Sequence, residues 1–287
     1  MFPGTKHSTI GVIGLSLIGG SLAIDLKHRG YTDRVLGVEN NPENADAALR
    51  IGLVDHLVNL EGCIEKADII IVAVPVGTAV KLIPSILDKI GPGQLVIDVC
   101  STKSQICHAV KYHPRRQQFV STHPMAGTEY SGPTAAQQGL FDGRACIFAD
   151  AEQSAPQALK DIEQLYGVLN MRPIYMNSDQ HDVHTAYVSH ISHVTSFALA
   201  LTVLEKEKDE KHIFDLASGG FASTVRLAKS NADMWVPILT QNRDNMLRVM
   251  DTYMKQMQQF RDAIATFDEG GLRELIQEAN KIKRILK

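Results

Sequence analysis

The sequence predicts an α/β chain in which a doubly wound, mainly parallel sheet is followed by an all-helical second part. Short apolar runs alternate with helical patterns up to about residue 174, which is typical of parallel strands linked by crossover helices. The run Ile69–Val74 is apolar without alternation, as expected for a strand covered on both faces. Beyond Met176 only helical patterns remain. The predicted strands are Ile10–Ile13, Val35–Val38, Ile69–Val74, Leu95–Val99, Phe119–Ser121, Ala145–Phe148 and Ile174–Met176.

Three helical patterns cover most of the remaining chain. The first follows the capping residues 177–179 and runs to about Glu207, and the second runs from near Asp233 to about Phe267. The third is an amphipathic final helix whose apolar positions are Leu272, Leu275, Ile276, Ala279, Ile282 and Leu286. We therefore expect two domains, residues 1–174 and residues 175–287. Because helices this long can extend beyond one small domain, we also expect a homodimer formed through the helical domain.

The stretch from Thr9 to Ala23 is an apolar strand that passes through closely spaced glycines directly into an apolar helix. Such a turn leaves backbone N–H groups free at the helix start, where they attract an anion such as a dinucleotide pyrophosphate. This pattern predicts a Rossmann-type cofactor domain, although a tight turn of purely structural importance would look the same. The middle glycine of the usual G-x-G-x-x-G pattern is Ser16, whose side chain must point away or bond the phosphate. The candidate cofactor residues here are Gly14, Ser16, Leu17, Ile18 and Gly19.

Two further features support a nicotinamide dinucleotide as the cofactor. The second predicted strand ends in Glu39, a carboxylate at the distance along the chain where the ribose diol is recognised. Because a 2′-phosphate beside Glu39 would be repelled, and no arginine follows in residues 40–42, we expect NAD rather than NADP. At the end of the third strand, Val74 and Pro75 form an apolar corner against which the nicotinamide ring could pack.

Composition excludes several other classes of protein. The 29 basic and 32 acidic residues are interspersed and give a net charge of −3, so no stripe for nucleic acid is expected. The first residues lack the features of a signal peptide, and the apolar stretch Ile191–Leu204 is too short to span a bilayer. The four cysteines show neither metal-ligand nor disulfide spacing. We therefore expect a cytoplasmic protein with reduced thiols and no membrane partner.

Chemistry is expected where the parallel strands end, because ligands of open α/β sheets bind at that edge. Ser101 and Thr102 follow one predicted strand, although they could instead cap the helix that begins near Ser104. His123 follows the next strand and precedes Pro124, so it lies outside a helix. We interpret His123 as an imidazole that faces the cofactor, with a purely structural role as the alternative.

The helical part carries four histidines and one arginine of interest. On a continuous helix His190 and His193 share one face, whereas His181 and His184 project from nearly the opposite side, so the four do not converge on one metal ion. Arg226 follows a glycine break at residues 219–220 and could hold a carboxylate substrate. A surface arginine is the alternative interpretation.

Five segments together resemble the prephenate/arogenate dehydrogenase family, in the same order along almost the whole chain. The dinucleotide segment is shared by many oxidoreductases, whereas the His-Pro-Met-Ala-Gly-Thr-Glu segment combined with Ser-His-x-x-His is quite specific. The segments are Gly14-x-x-Leu17-Ile-Gly-Gly-Ser-Leu-Ala23, Asp98-x-x-Ser101-x-Lys103, His123-Pro-Met-Ala-Gly-Thr-Glu-x-Ser-Gly132, His181-Asp-x-x-x-Ala-x-x-Ser-His190-x-x-His193 and Gly219-Gly-Phe-Ala-Ser-Thr-Val-Arg226.

The resemblance implies NAD-dependent oxidative decarboxylation of a small-molecule substrate. That substrate is prephenate, which gives 4-hydroxyphenylpyruvate, or arogenate, which gives tyrosine. By the resemblance, His123 assists deprotonation of the C4 hydroxyl, which requires a neutral imidazole, and an essential group is expected to ionise near neutrality. Ser101 would orient His123 and touch the substrate or nicotinamide, and Arg226 would hold a substrate carboxylate. The remaining substrate residues implied are His193 and His181 in the pocket and Thr128 and Glu129 at its mouth.

The resemblance places the active site in a cleft between the two domains. Some relatives carry a chorismate mutase domain before this unit or a ligand-sensing domain after it. Because the sequence begins near the first predicted strand and ends with the final predicted helix, we expect neither of them here. Two other functions stay open. A β-hydroxyacid dehydrogenase would use a catalytic lysine of the helical domain, for which Lys229 is the candidate. A catalytically silent NAD sensor would retain the glycine turn and lose the polar residues.

Overall fold

The computed structural model describes residues 9–208 and 212–285. One eight-stranded sheet has the order β3-β2-β1-β4-β5-β6-β7-β8. The described pairs are parallel except for β6 with β7, which are antiparallel. The mainly parallel sheet predicted from the sequence is thus confirmed. The strands are β1 (Thr9–Ile13), β2 (Arg34–Val38), β3 (His56–Leu57), β4 (Ile69–Val72), β5 (Leu95–Asp98), β6 (Phe119–Pro124), β7 (Ala145–Ala149) and β8 (Arg172–Met176).

Helices cover both faces of this sheet, as a doubly wound fold requires. The first six are α1 (Leu17–His28), α2 (Pro42–Arg50), α3 (Leu60–Lys66), α4 (Val76–Lys89), α5 (Ser104–Val110) and α6 (Pro156–Val168). Leu22 and Leu26 of α1 and Ile162 of α6 belong to one apolar core. Ile83 and Ile86 of α4 belong to another core. The central strands β4 and β5 are buried along their whole length between them, which explains why their sequences do not alternate.

The described part of the chain after β8 is helical, which confirms the all-helical prediction. A 30-residue helix consists of α7 (Ser178–Thr185), a π-helical turn at Ala186–His190 and α8 (Ile191–Glu207). It is followed by α9 (Gly219–Val225), a 3-10 turn at Arg226–Lys229, α10 (Ala232–Gln241), α11 (Arg243–Ala265) and α12 (Glu269–Ala279). Leu286, predicted for the final helix, lies outside the described residues.

The predicted helix from Asp233 to Phe267 is wrong in one respect, because it is two helices that part at Asn242. The Asn242 side chain is buried and donates a hydrogen bond of 2.7 Å to the carbonyl oxygen of Asp182. This contact holds residue 242 within the unit that contains the sheet. Residues up to Asn242 form one compact unit, and those from Arg243 onward form a second.

The expectation that the apolar stretch Ile191–Leu204 is too short to span a bilayer needs a correction, because this stretch is part of the longer helix Ser178–Glu207. The apolar segment is part of a 30-residue helix with a mean hydropathy of 1.3, so by length and composition it could cross a membrane. A helix that packs against protein passes the same test. In this helix the polar residues His181, Asp182 and His190 are buried, whereas 11% of its most apolar window is buried.

Candidate active site

The carboxyl ends of β1 and β4 form the switch point of the sheet, because β1 lies between β2 and β4. Ligands of doubly wound sheets bind at such a point. Gly14 follows β1 with a φ of 94°, and a Cβ atom there would lie 2.5 Å from the carbonyl oxygen of Ala73. A Cβ on Gly19 would lie 2.0 Å from the carbonyl oxygen of Gly14. Both positions therefore require glycine.

Ser16 stands immediately before α1 and does not cap that helix with its side chain. Its Oγ accepts a hydrogen bond of 2.8 Å from the backbone N–H of Gly132. The extra side chain is thus directed to a neighbouring loop, and the first N–H groups of α1, on Leu17 and Ile18, have no helical acceptor. This arrangement fits a phosphate at the helix start.

Glu39 lies beside the same turn. Its carboxylate accepts hydrogen bonds from the backbone N–H of Leu15 at 3.2 Å and of Asn41 at 3.0 Å. On the other side of the turn, Val74 is next to Gly14, and Pro75 immediately precedes α4. The candidate cofactor residues therefore surround one crevice, and both the glycine cradle and the carboxylate fit a dinucleotide.

His123 lies near the end of β6 and begins a chain of three polar side chains. Its Nδ1 atom is 2.8 Å from Nε2 of His181, and Nδ1 of His181 is 2.8 Å from a carboxylate oxygen of Asp182. His181 and Asp182 are buried, whereas His123 is partly exposed. Among the described residues, no hydrogen bond joins Ser101 to His123, so the contact that orients His123 here is the one with His181.

The electrostatic environment keeps both imidazoles neutral. Burial, and secondarily His181, Lys103 and His190, lower the pKa of His123 well below its ordinary value of 6.5. Burial also lowers the pKa of His181, although Asp182 opposes this effect. Because burial disfavours the imidazolium, ionisation of His123 is expected below neutrality, not near it.

Asp182 also fixes the polar segment that follows β5. Burial would raise the pKa of this carboxyl, but its bonds with His181, Ser104 and Lys103 lower the pKa overall. Its two carboxylate oxygens accept the backbone N–H groups of Lys103 at 2.7 Å and of Ser104 at 2.9 Å, at the start of α5. The alternative that Ser101 and Thr102 cap this helix is therefore wrong. Ser101 lies partly exposed just before the helix.

A buried ion pair lies at the carboxyl ends of β5 and β6, next to His123. The Lys103 ammonium pairs with the carboxylate of Asp98, and neither side chain is exposed. The ammonium also donates to the carbonyl oxygen of Thr122, and Ser121 donates to Asp98. Burial alone would lower the pKa of Lys103, but the Asp98 carboxylate reverses this effect and the pKa is raised. The pair ties the ends of β5 and β6 together next to His123.

The histidines of the long helix do not lie as a continuous α-helix would arrange them. The π-helical turn advances the chain by less rotation per residue, so His190 comes round toward the side of His181. His190 is buried, with Nδ1 3.2 Å from the Asn242 amide nitrogen, and burial lowers its pKa to about 4. His184 is exposed. Within the described ranges, no three potential ligands are grouped as a metal site would require.

His193 and Arg226 lie near each other on the helical side. The His193 ring stacks on the indole of Trp235 with a centroid distance of 3.5 Å. Burial lowers the pKa of His193, and the Arg226 charge lowers it further. Arg226 donates to the Glu129 carboxylate at 2.6 Å. Thr128 lies beside Glu129, and its hydroxyl accepts from the backbone N–H of Tyr130 at 3.3 Å.

The structure thus connects the sequence-predicted residues in two groups within one compact unit. The first runs from His123 through His181, and the second from Glu129 through Arg226 to His193. The loop from His123 to Gly132 joins the two groups and reaches Ser16 at the cofactor crevice. Sequence reasoning missed Asp182 and Trp235, although Asp182 follows His181 directly and Trp235 is the single tryptophan of the chain.

Comparison with known proteins matches almost the whole chain to one family. Residues 22–175 match the family model described as prephenate dehydrogenase, nucleotide-binding domain, and residues 177–278 match prephenate dehydrogenase, dimerization domain. The chain is 31% identical to the Bacillus subtilis prephenate dehydrogenase over 92% of this chain and 72% of that protein.

Two solved structures are similar over almost their full length. The prephenate dehydrogenase of Aquifex aeolicus, in complex with hydroxyphenyl propionate and NAD+, has a TM-score of 0.88 and 26% identity, and 98% of each chain is covered. The Synechocystis arogenate dehydrogenase has a TM-score of 0.75 and 26% identity, with 97% of this chain and all of that chain covered. Together with the two domain matches, these likenesses show that the chain belongs to the prephenate dehydrogenase family.

Proposed function

We propose that this chain catalyses the NAD-dependent oxidative decarboxylation of prephenate to 4-hydroxyphenylpyruvate, a step toward tyrosine. The observation that carries the proposal is the position of His123 near the end of β6. His123 is bonded to the buried His181 and through it to Asp182, and the loop that follows His123 reaches Ser16 at the glycine turn. A base at this point can remove the proton of a substrate hydroxyl whose carbon faces the cofactor. The Aquifex relative was solved with NAD+ and a hydroxyphenyl acid, which supports both the cofactor and the aromatic acid class.

Each remaining residue has a role in this proposal. His123 accepts the proton of the C4 hydroxyl, while Arg226 releases Glu129 and holds a substrate carboxylate. His193 lines the pocket, Thr128 and Glu129 lie at its mouth, and Ser101 touches the substrate. NAD, when bound, accepts the hydride from C4. Loss of the ring carboxylate as CO2 makes the ring aromatic, so the protein mainly has to position and polarise the substrate.

Arogenate is the alternative substrate. It differs from prephenate by an amino group in place of the keto group on the side chain, and the similar proteins include both prephenate and arogenate dehydrogenases. The keto or amino group that distinguishes prephenate from arogenate takes no part in the chemistry of the ring. The same mechanism therefore serves either acid, and the preference is a property of the pocket around the side chain.

The testing experiment follows NADH formation with the purified protein. Prephenate and arogenate are offered separately, each with NAD and with NADP, and we expect turnover with prephenate and NAD. Preference for arogenate retains the mechanism and changes the product to tyrosine. Absence of turnover in all four assays, from folded protein that binds NAD, contradicts the proposal and favours the NAD sensor.

The β-hydroxyacid dehydrogenase alternative has its own pair of variants. Lys229→Ala should retain turnover, whereas His123→Asn should lower kcat by about a hundredfold or more, as expected for a lost general base. The reverse pattern would make Lys229 the catalytic group. Lys229 lies exposed in the 3-10 turn that begins with Arg226, and among the described residues no hydrogen bond joins it to His123, His181 or Asp182.

We further propose that the protein is a cytoplasmic homodimer. Residues 1–174 would bind NAD, and residues 175–287 would complete the substrate site and form the dimer. The match of residues 177–278 to a dimerization domain supports this division.

A further inference from the structure

The chain His123–His181–Asp182 determines which nitrogen of each imidazole carries the proton. An ionised carboxylate can only accept a hydrogen bond, so Nδ1 of His181 donates to Asp182 across the 2.8 Å contact. Neutral His181 then has its lone pair on Nε2. Because Nε2 accepts, the proton of the 2.8 Å contact belongs to Nδ1 of His123. Neutral His123 is left with its lone pair on Nε2, which has no hydrogen-bond partner among the described residues.

The ionised state of Asp182 has a structural cause. Besides His181, its two oxygens accept the backbone N–H groups of Lys103 and Ser104. Three donors on one buried carboxylate favour its charged form and hold it in one orientation. The other ionisable groups that face the histidine pair are His190, Lys103 and Asp98, and the positive charge of Lys103 disfavours a proton on either ring.

We propose that Asp182, acting through His181, is a positioning residue that holds His123 in the tautomer whose Nε2 lone pair accepts the substrate proton. The inference rests on the proposed function, since it concerns the base of that reaction. The tautomer itself is a property of the free protein. When Nε2 of His123 takes the hydroxyl proton, the proton on Nδ1 can move to Nε2 of His181, and the resulting imidazolium lies against the Asp182 carboxylate.

The first experiment measures the tautomers directly. Nitrogen NMR of the 15N-labelled full chain distinguishes protonated from unprotonated ring nitrogens, and His123→Asn and His181→Asn assign the signals. We expect both rings to be neutral with the proton on Nδ1 in wild-type protein. A proton on Nε2 of His123 would overturn the proposal. This measurement does not depend on turnover, so it stands even if neither cyclohexadienyl acid is a substrate and the proposed function fails.

The second experiment changes the acceptor. The amide of Asp182→Asn has one acceptor oxygen in place of two, so it cannot accept from His181, Lys103 and Ser104 together. When its oxygen remains on Ser104, its NH2 group faces Nδ1 of His181, which reverses both bonds and places a proton on Nε2 of His123. We expect kcat to fall by about a hundredfold or more while the substrate KM changes by less than about threefold. The NMR signals of His123 should show the other tautomer. A purely structural role would instead raise KM or lower the melting temperature and leave the tautomer unchanged.

Asp150→Asn is the matched control. Asp150 is also a buried carboxylate that accepts a backbone N–H at a helix start, from Ser178 at 2.8 Å, but the described residues give it no bond to a histidine. We expect its kcat to stay within about twofold of wild type. An equal loss in both variants, or a kcat of Asp182→Asn close to wild type, would contradict the proposal. If Asp182→Asn fails to fold, the wild-type tautomers still decide the question.

Discussion

At the level of single residues, burial decides the chemistry of the site more than proximity to charge. His123, His181, His190 and His193 all have lowered pKa values, and burial is the main cause for each. The imidazolium of a buried histidine is poorly solvated, so the neutral base is the stable form. These four histidines are therefore neutral hydrogen-bonding rings.

This environment predicts the pH dependence of turnover. A group with a pKa below 6.5 is already deprotonated above that pH, so kcat/KM should not fall between pH 8 and pH 6.5 on account of His123. The loss should begin only at lower pH, where the imidazole is protonated and can no longer accept the hydroxyl proton. The pH profile of kcat/KM checks this expectation, and an acid limb centred at or above pH 6.5 would contradict it.

Arg226 is the residue on which substrate affinity should depend most. Its guanidinium pairs with Glu129 at 2.6 Å, about half exposed, so a substrate carboxylate can take the place of Glu129. We expect Arg226→Ala to raise the substrate KM by about two orders of magnitude, since a charge-assisted contact worth roughly 3 kcal/mol is lost. Steady-state kinetics measure this effect.

A matched control for Arg226 exists on the sheet domain. Arg29 forms a similar ion pair with Asp142 at 2.8 Å, away from the site. Arg29→Ala should leave the substrate KM unchanged, because the described contacts of Arg29 are with Asp142 and the carbonyl oxygen of Val168, neither of which belongs to the candidate site. If Arg226→Ala also leaves KM unchanged, Arg226 does not bind the carboxylate.

At the level of secondary-structure elements, periodicity predicted most of the fold but not its irregularities. The strands β4 and β5 can be predicted from their apolar sequences because both of their faces are buried. The two residues of β3 are too few to form a pattern. The break at Asn242 depends on a contact with Asp182, 60 residues away along the chain. The π-helical turn at Ala186–His190 has no local signature in the sequence, yet it reduces the rotation about the helix axis between His181 and His190.

Some residues of the candidate site could likewise be predicted from the sequence, whereas others depend on contacts that only the fold creates. His123 and Arg226 were predictable because they lie at a strand end and after a glycine break, where a side chain with special chemistry is conspicuous. The role of Asp182 was not, because it depends on the packing of α7 against α5. A carboxylate beside a histidine in sequence is common, and only the fold shows which backbone groups and rings it contacts.

The glycine turn and the substrate loop are joined by one side chain. Ser16 accepts a hydrogen bond from Gly132, and the same loop carries Glu129, the partner of Arg226. We expect Ser16→Ala to raise the substrate KM about fivefold, as a lost neutral hydrogen bond of roughly 1 kcal/mol would. The KM for NAD should stay within about twofold, because Gly14 and Gly19 maintain the turn itself.

The kinetic comparison for Ser16 includes a second variant. Ser16→Gly removes the same hydroxyl while it restores the usual glycine pattern, so it should match Ser16→Ala in substrate KM. A rise in the KM for NAD alone, in either variant, would mean that the Ser16 hydroxyl serves the phosphate rather than the loop.

At the level of the whole molecule, α11 carries an apolar face that a single chain leaves exposed. At 100° per residue, Tyr253, Met257, Phe260 and Ile264 fall within about 60° of one another. Tyr253, Met257 and Ile264 are 41%, 52% and 61% exposed. Exposed apolar patches of this kind mark interaction surfaces, and this helix lies in the part of the chain that matches a dimerization domain.

A mass measurement tests whether a second copy covers this face. Light scattering of the purified protein should give twice the chain mass of 31.5 kDa. The double variant Met257→Asp and Ile264→Asp should give one chain mass, because each charge would be buried twice in a symmetric interface. Tyr112→Asp is the control, since Tyr112 is 88% exposed on the sheet domain and should not affect assembly. A wild-type monomer, or a double variant that remains dimeric with unchanged circular dichroism, would mean that α11 does not form the interface.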